Sequence, residues 1–473
     1  MRQEGVKVLR NIPDYQFFLT ADEFDASSRS LAEKYPDVVT LSEIGASREG
    51  RPLLCLKIGD GPKNVLMMGC PHPNEPIGAM LLEYFSERLA SDEDLRRAYP
   101  YTWYIVKVWD IDGYKRNEGW LHGPFTVTNY AKHMFRPAGT EQVDWTFPID
   151  YKQLHFHDCL PETLAMKQLI DNIKPFFIYS LHNSGFGGVY WYLSHELRDI
   201  FPTLWAIPKK NGLPLSLGTA ESPYCEVYGD AIFSSGGVVA QYEYLEKYSG
   251  PNSAAGIRCG DTSSAYAREN YGSFSLLTEL PYFYDARIEN QYPGNVEKRE
   301  GMIRREEDSQ AMSKEIRDIL AISEPYLIGN NPFRRTVESF TADRGGRKDA
   351  MRKMMETEPE YSEMATVAEE LDMLYISKFY KLLTYGMLVR ANELALSELD
   401  KKEDPDTKAR ETLLHALDAA KAAFQRVADY LEENLHYSMV PIKNMIAVQL
   451  ESGLIVLEEL ERISGTNCKE ASA

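Results

Sequence analysis

A chain of 473 residues, 44% hydrophobic and 26% charged, has the composition of a globular protein of two or three domains and excludes a disordered or fibrous one. Its 52 Lys and Arg against 71 Asp and Glu leave a formal charge of −19, a field that repels polyphosphates and argues against nucleic acid or an anionic membrane as partner. No apolar run reaches the ~18 residues of a membrane-spanning helix and Met1–Phe18 lacks a signal's apolar core, so six widely spaced cysteines without a Cys-x-x-Cys pair predict free thiols and a cytoplasmic location.

In chain order, the hydrophobic pattern predicts a helix over Ala21–Lys34, a strand over Val65–Met68, a helix over Ile77–Ala90 and a strand over Tyr104–Val108. A helix over Pro161–Ile173 follows, then strands over Phe176–Leu181, Gly237–Tyr242 and Phe274–Leu277. Short apolar runs alternating with helical patterns and Gly/Pro turns read as an α/β domain over residues 15–326. After Pro332 the chain is helix-patterned, with breaks near Arg344-Gly345-Gly346 and Asp404-Pro405-Asp406. Leu413, Leu417, Ala420, Phe424, Val427 and Leu431 recur at helical spacing, and a second stripe runs from Ile446 to Ile463. About four helices are expected over 333–473, as a C-terminal all-α bundle whose stripes serve core packing or a protein partner.

The histidines carry most of the chemical signal. His72 and Glu75 lie three positions apart at a predicted strand-to-helix corner, where an imidazole and a carboxylate can face one ion and supply two of the three ligands of a catalytic zinc. A first-turn Glu favoured by the helix dipole is the plainer explanation of that spacing. His155 and His157, on one side of an extended segment, form a competing cluster. His182 ends the apolar run Phe176–Leu181, and ligands collect at the carboxyl ends of strands in α/β sheets. Glu279 ends the run Phe274–Thr278 in the same way. A carboxylate there needs either a charged partner or a raised pKa, and a raised pKa suits a general base.

Taken in order, these residues resemble the zinc metallocarboxypeptidases. Tyr35-Pro36-Asp37-Val38 and Ile44-Gly45-Ala46-Ser47-Arg48-Glu49-Gly50-Arg51-Pro52 look like that family's opening. The likeness continues through His72-x-x-Glu75, Asp110-Ile111-Asp112-Gly113 and Val143-Asp144 to the strands ending in His182 and Glu279, and it covers roughly residues 15–290. It implies a mixed central sheet flanked by helices, with one Zn2+ per chain held by His72, Glu75 and His182. It also implies that Asp144 hydrogen-bonds the first ligand histidine, that Glu279 activates a zinc-bound water, and that Arg136 polarises the scissile carbonyl.

The departures matter as much. Where the family carries an Asn-Arg pair that clamps the substrate carboxylate, this chain has Trp145-Thr146-Phe147, and neither Thr146 nor Phe147 replaces a guanidinium. Either another cation such as Arg258 or Arg268 substitutes or the substrate end is not a conventional α-carboxylate, and Tyr248 and Tyr266 are candidates for the family's substrate-capping tyrosine. Tyr190, Trp191, Tyr192 and Tyr224 are candidates to line a pocket, though most of them read as packing residues. The expectation is thus a metallocarboxypeptidase-like peptidase. A deacylase of N-acyl amino acids and an inactive scaffold remain alternatives.

Overall fold

Nine strands build the central sheet: β1 (Val39–Ala46), β2 (Pro52–Ile58), β3 (Lys63–Gly69), β4 (Tyr101–Val106), β5 (Phe177–Leu181), β6 (Tyr190–Leu193), β7 (Val227–Gly229), β8 (Ile232–Ser234) and β9 (Phe274–Glu279). Their spatial order is β1-β2-β4-β3-β5-β9-β6-β8-β7. β4, β3, β5 and β9 run parallel through the middle, and antiparallel pairs lie toward both edges. The computed structural model describes residues 1–250, 256–327, 329–342 and 345–470. The predicted break at Arg344 and the Cys468 side chain lie outside the described residues.

The central strands are apolar on both faces because both faces are covered. In β3, Val65 and Met67 join one core with Phe177, Tyr179 and Leu181, while Leu66 and Met68 join a second with Ile178, Met166 and Ile170. Helix α1 (Ala21–Lys34) starts where a capping box closes it: the Glu23 amide donates to Thr20 Oγ1 and the Thr20 amide donates to the Glu23 carboxylate at 2.7 Å. Helices α2 (Ile77–Ser91) and α3 (Pro161–Ile173) cover opposite faces and fall where the sequence pattern places them. β4 starts three residues earlier than its predicted strand and ends at Val106.

Gly237–Tyr242 is a correction, since it is the start of a helix, Gly237–Ser249, not a strand. Val238, Tyr242 and Leu245 are buried together in one cluster, and their spacing of four and three is helical. The Asp261 carboxylate accepts the Val238 amide at 3.2 Å, satisfying the helix's free amino end.

The helices after residue 297 occupy two places. α4 (Lys298–Ser323), α5 (Pro332–Thr341), α6 (Ser377–Leu399) and α7 (Thr407–Asn434) pack on one another. The last helix, α8 (Ile442–Glu470), lies against α2 and the ends of β5 and β9. The short strand Tyr437–Met439 pairs with Pro281–Asp285, and one apolar core runs from Val8 to Leu457. A long helix thus precedes residue 333, and the last helix is part of the sheet's own packing. No described helix is long and apolar enough to cross a membrane.

Candidate active site

Three chain segments converge on a cleft of about 1810 Å³. The first is the loop from Cys70 to Pro76 between β3 and α2. Cys70 takes a left-handed backbone with φ 51°, a strain of about 1–3 kcal/mol that the fully buried surroundings hold in place. Gly78 lets the start of α2 lie against β5, since a Cβ there would sit 2.5 Å from Leu181 Cβ. The second and third segments are the carboxyl ends of β5 and β9, which place His182 and Glu279. Asn183 ties all three together, accepting the Ile77 amide at 3.3 Å and donating to the Leu280 carbonyl at 3.1 Å.

The last helix holds the same strand ends from behind. Gln449 is fully buried, and its amide donates to the carbonyls of His182 at 2.9 Å and Thr278 at 3.3 Å. The Gln449 backbone carbonyl accepts the Tyr179 hydroxyl at 2.7 Å.

His72 Nδ1, His182 Nδ1 and the Glu75 carboxylate form a tight triangle. The separations are 3.0 Å from His72 to Glu75, 3.1 Å from His182 to Glu75 and 3.2 Å between the two nitrogens. Ligand atoms bound to zinc at ~2.0–2.1 Å stand roughly 3.3–3.4 Å apart in a tetrahedral shell, so this donor set matches such a cation in size and chemistry. Among the described residues it is the one His/Cys/Asp/Glu group close enough to hold a metal.

The charge states fit as well. Burial and the Arg136 charge lower His72 to about 3, leaving a neutral imidazole. Burial alone would raise Glu75, but its interaction with His72, the hydrogen bond from His182 and the Arg136 charge outweigh it and keep this carboxylate well below its usual range. Ser180 Oγ lies 2.9 Å from His182 Nε2, so that ring presents Nδ1 to the triangle.

Glu279 stands beside the triangle, 3.7 Å from His182 Nδ1. Burial, then the charges of Glu75 and Glu221, push its pKa well above the usual carboxyl value. Its Oε2 is buried without a hydrogen-bond partner. Arg136 reaches in from the other side, its guanidinium 3.1 Å from Glu75 Oε1 and still partly exposed to the cleft.

Other expected residues lie elsewhere or bond differently. Asp144 is buried, but its Oδ1 accepts the Ser263 amide at 2.7 Å, and among the described residues it makes no hydrogen bond to His72. His72 Nε2 instead meets the Trp145 indole N–H at 3.3 Å. Tyr248 bonds Glu358 and Tyr266 bonds Asp171, and neither lines the cleft. Arg268 donates to the Ser235 carbonyl and pairs with Glu269, also off the cleft, whereas Arg258 lines it. Thr146 and Phe147 are fully buried in the core, so no polar group replaces the carboxylate clamp at those positions. His155 and His157 are exposed and share Asp150.

Sequence reasoning offered Tyr192 and Tyr224 as pocket-lining aromatics, and both line the cleft, but it missed the rest of what the far wall supplies. Tyr380, from α6, lines the cleft and donates its hydroxyl to the Ser184 carbonyl. Glu221 and Tyr192 line it too, the Tyr192 hydroxyl donating to Glu221 Oε2 at 2.9 Å. Of these, only Tyr192 had a readable signal, the alternation in Tyr190-Trp191-Tyr192 that turns two rings to one face of a strand.

Comparison with known proteins follows the same lines. The sequence model of the zinc carboxypeptidases matches residues 25–199. Carboxypeptidase E of Caenorhabditis elegans is 38% identical over 76 residues, 15% of this chain and 16% of that protein. Carboxypeptidase A from Helicoverpa armigera aligns in structure over 56% of this chain and 65% of its own, at 18% identity and a TM-score of 0.38. A metallo-carboxypeptidase from Burkholderia cenocepacia aligns over 56% and 60%, at 18% identity and a TM-score of 0.32. The chain thus spans about a sixth of the curated relative and under two thirds of either aligned structure. Residues 25–199 of this chain thus match the sequence model of the zinc carboxypeptidases.

Proposed function

We propose that this chain is a zinc-dependent hydrolase of amide bonds, acting as a metallocarboxypeptidase-like peptidase. The observation that carries the reading is the triangle of His72, Glu75 and His182 with Glu279 3.7 Å from one of its corners in an open cleft. A zinc held by those three residues would supply a Lewis acid to the scissile carbonyl. Glu279, with its raised pKa, takes a proton from the attacking water and later delivers it to the departing nitrogen. Arg136 places its guanidinium beside Glu75, where it offsets the charge that develops on the carbonyl oxygen. Burial of the triangle excludes bulk water and strengthens each of these interactions.

The burial of Thr146 and Phe147 favours a second reading, release of an acyl group from an N-acyl amino acid. The decisive experiment loads purified protein with zinc, counts metal per chain and assays peptides beside N-acyl amino acids. About one zinc per chain, abolished in the double variant His72→Ala, His182→Ala, is expected, with release of C-terminal residues. Binding below roughly a tenth of a zinc per chain sinks the metalloenzyme reading, because those ligands are its whole basis. Cleavage confined to N-acyl amino acids selects the second substrate class.

A further inference from the structure

His72, Glu75, His182 and Glu279 sit at strand ends or in the tight loop into α2, but Arg136 does not. It lies on the stretch between the short helix Val127–His133 and the turn Val143–Trp145, where the one regular turn is Gly139–Glu141. A segment of that kind makes few backbone bonds of its own and moves unless other elements tie it down.

The ties come from α5. Thr336 is fully buried and donates its hydroxyl to the Arg136 carbonyl at 2.9 Å, sharing it with the Pro332 carbonyl at 3.1 Å. The Gly139 amide donates to Ser339 Oγ at 3.2 Å. Arg335 grips the Glu141 carboxylate through two N–H groups, at 2.5 and 3.3 Å, a bidentate pair of fixed geometry. Residues 335, 336 and 339 fall within about 100° of one another around a helix, so one face of α5 makes all three contacts. Among the described residues, no other element bonds the backbone from Arg136 to Glu141. Its remaining bonds, from Gln142 to the Pro137 carbonyl and from the Glu141 amide to the Ala138 carbonyl, stay within the loop.

α5 is itself fixed. Asn331 at its start donates to the Ala391 carbonyl of α6 at 2.9 Å, and Arg390 of α6 donates to the His133 and Met134 carbonyls at 2.6 and 3.1 Å. Both helices lie beyond the stretch 25–199 that matches the family. A guanidinium offsets charge on a carbonyl oxygen only where it already stands in position, and a displacement of ~1 Å costs up to about 100-fold in rate.

We propose that α5 holds Arg136 in its working position, with Thr336, Ser339 and Arg335 as positioning residues that fix the loop carrying its guanidinium beside Glu75. The proposal rests on the amide-hydrolase reading for what Arg136 does, and it gives the helical layer a part in the reaction.

Two measurements test it. The first is hydrogen–deuterium exchange of the full chain, which does not depend on turnover. Thr336→Val keeps the side chain's shape but loses its donor, so the amides of residues 138–141 are expected to exchange at least ~10-fold faster, with the wild-type rate restored in Thr336→Ser. Arg335→Gln, at a half-buried position, is expected to act alike and serves should Thr336→Val fold poorly. Unchanged exchange in both variants overturns the proposal.

The second separates kcat from KM for zinc-loaded protein on the peptide that wild type cleaves best. In Thr336→Val, kcat is expected to fall at least ~10-fold while KM stays within about twofold and zinc per chain is unchanged. In an Arg136→Ala background the same substitution should cost no further activity, because its effect runs through that guanidinium. Arg334, also on α5, bonds Glu338, Glu324 and the Leu327 carbonyl, so Arg334→Gln should leave kcat unchanged. A full further loss in the Arg136→Ala background, or an equal loss in Arg334→Gln, overturns the proposal. No turnover by wild type removes the hydrolase reading, and the exchange rates then decide alone whether α5 fixes the loop.

Discussion

Glu279 and Asp110 show how single carboxyls answer to burial. In Glu279→Gln the side chain keeps its size and stays beside the triangle, but it can no longer accept a proton. Zinc stoichiometry should therefore remain at the wild-type value while kcat falls by about 10²–10⁴-fold. Loss of zinc together with activity would instead make Glu279 a part of the metal site. Asp110 is fully buried, and burial pushes it to about 7 against the opposing pull of Arg48 and the Gly113 amide.

A carboxyl raised in the folded state favours the fold in its protonated form. Its contribution is full below about pH 4 and is lost as pH climbs through 7. Asp110→Asn keeps the acceptor for the Gly113 amide at 3.0 Å but cannot ionise. The Tm of this variant relative to wild type should rise between pH 4.5 and pH 8, and a flat difference would show that Asp110 is not held protonated. His72, Glu75, His182 and Glu279 were legible because each sits at a strand end that hydrophobic pattern marks. Glu221 and Tyr380 were not, because nothing local in sequence says which loop or helix crosses the cleft.

At the scale of elements, the site depends on how closely α2 and α8 approach the strand ends. Gly78→Ala would place its Cβ 2.5 Å from Leu181 Cβ and 3.1 Å from the Leu181 carbonyl, so α2 or β5 has to move. Displacement of either changes the spacing between the His72 loop and His182. Gln449→Leu removes both amide bonds to the His182 and Thr278 carbonyls and leaves two buried acceptors without those donors, a loss of about 1–3 kcal/mol each. Both variants should bind zinc at least ~10-fold more weakly in chelator competition, while His155→Ala, on an exposed hairpin, should not. Equal affinity in Gly78→Ala and wild type would mean that these element contacts do not set the ligand spacing. α1 and α3 could be read to their terminal residues because a cap and an N-terminal proline mark their starts. The helix at Gly237 was misread because Val238, Val239 and Tyr242 are β-formers by type, and only the longer 238–242–245 spacing shows the buried helical face.

For the molecule as a whole, the question is whether the later helices fold apart from the sheet. A composition change at Pro332 suggests separation, but composition does not show that α8 returns to cover the sheet. The Trp191 indole donates to Ser452 at 3.0 Å, and a Cβ at Gly453 would meet the Tyr179 ring at 2.5 Å. Arg390 of α6 donates to the carbonyls of His133 and Arg116. With such contacts and one continuous apolar core, the two regions should unfold together. The sequence supplies its own probe, because all six tryptophans lie at or before residue 205, in the sheet region. Tryptophan fluorescence therefore reports on that region alone, while far-ultraviolet circular dichroism is dominated by helices along the whole chain. The two thermal midpoints are expected to coincide. A helical signal that persists more than about 5 °C above the fluorescence transition would show an independently stable bundle. The far wall of the cleft, Tyr380 included, would then be a docked domain instead of part of the same cooperative unit.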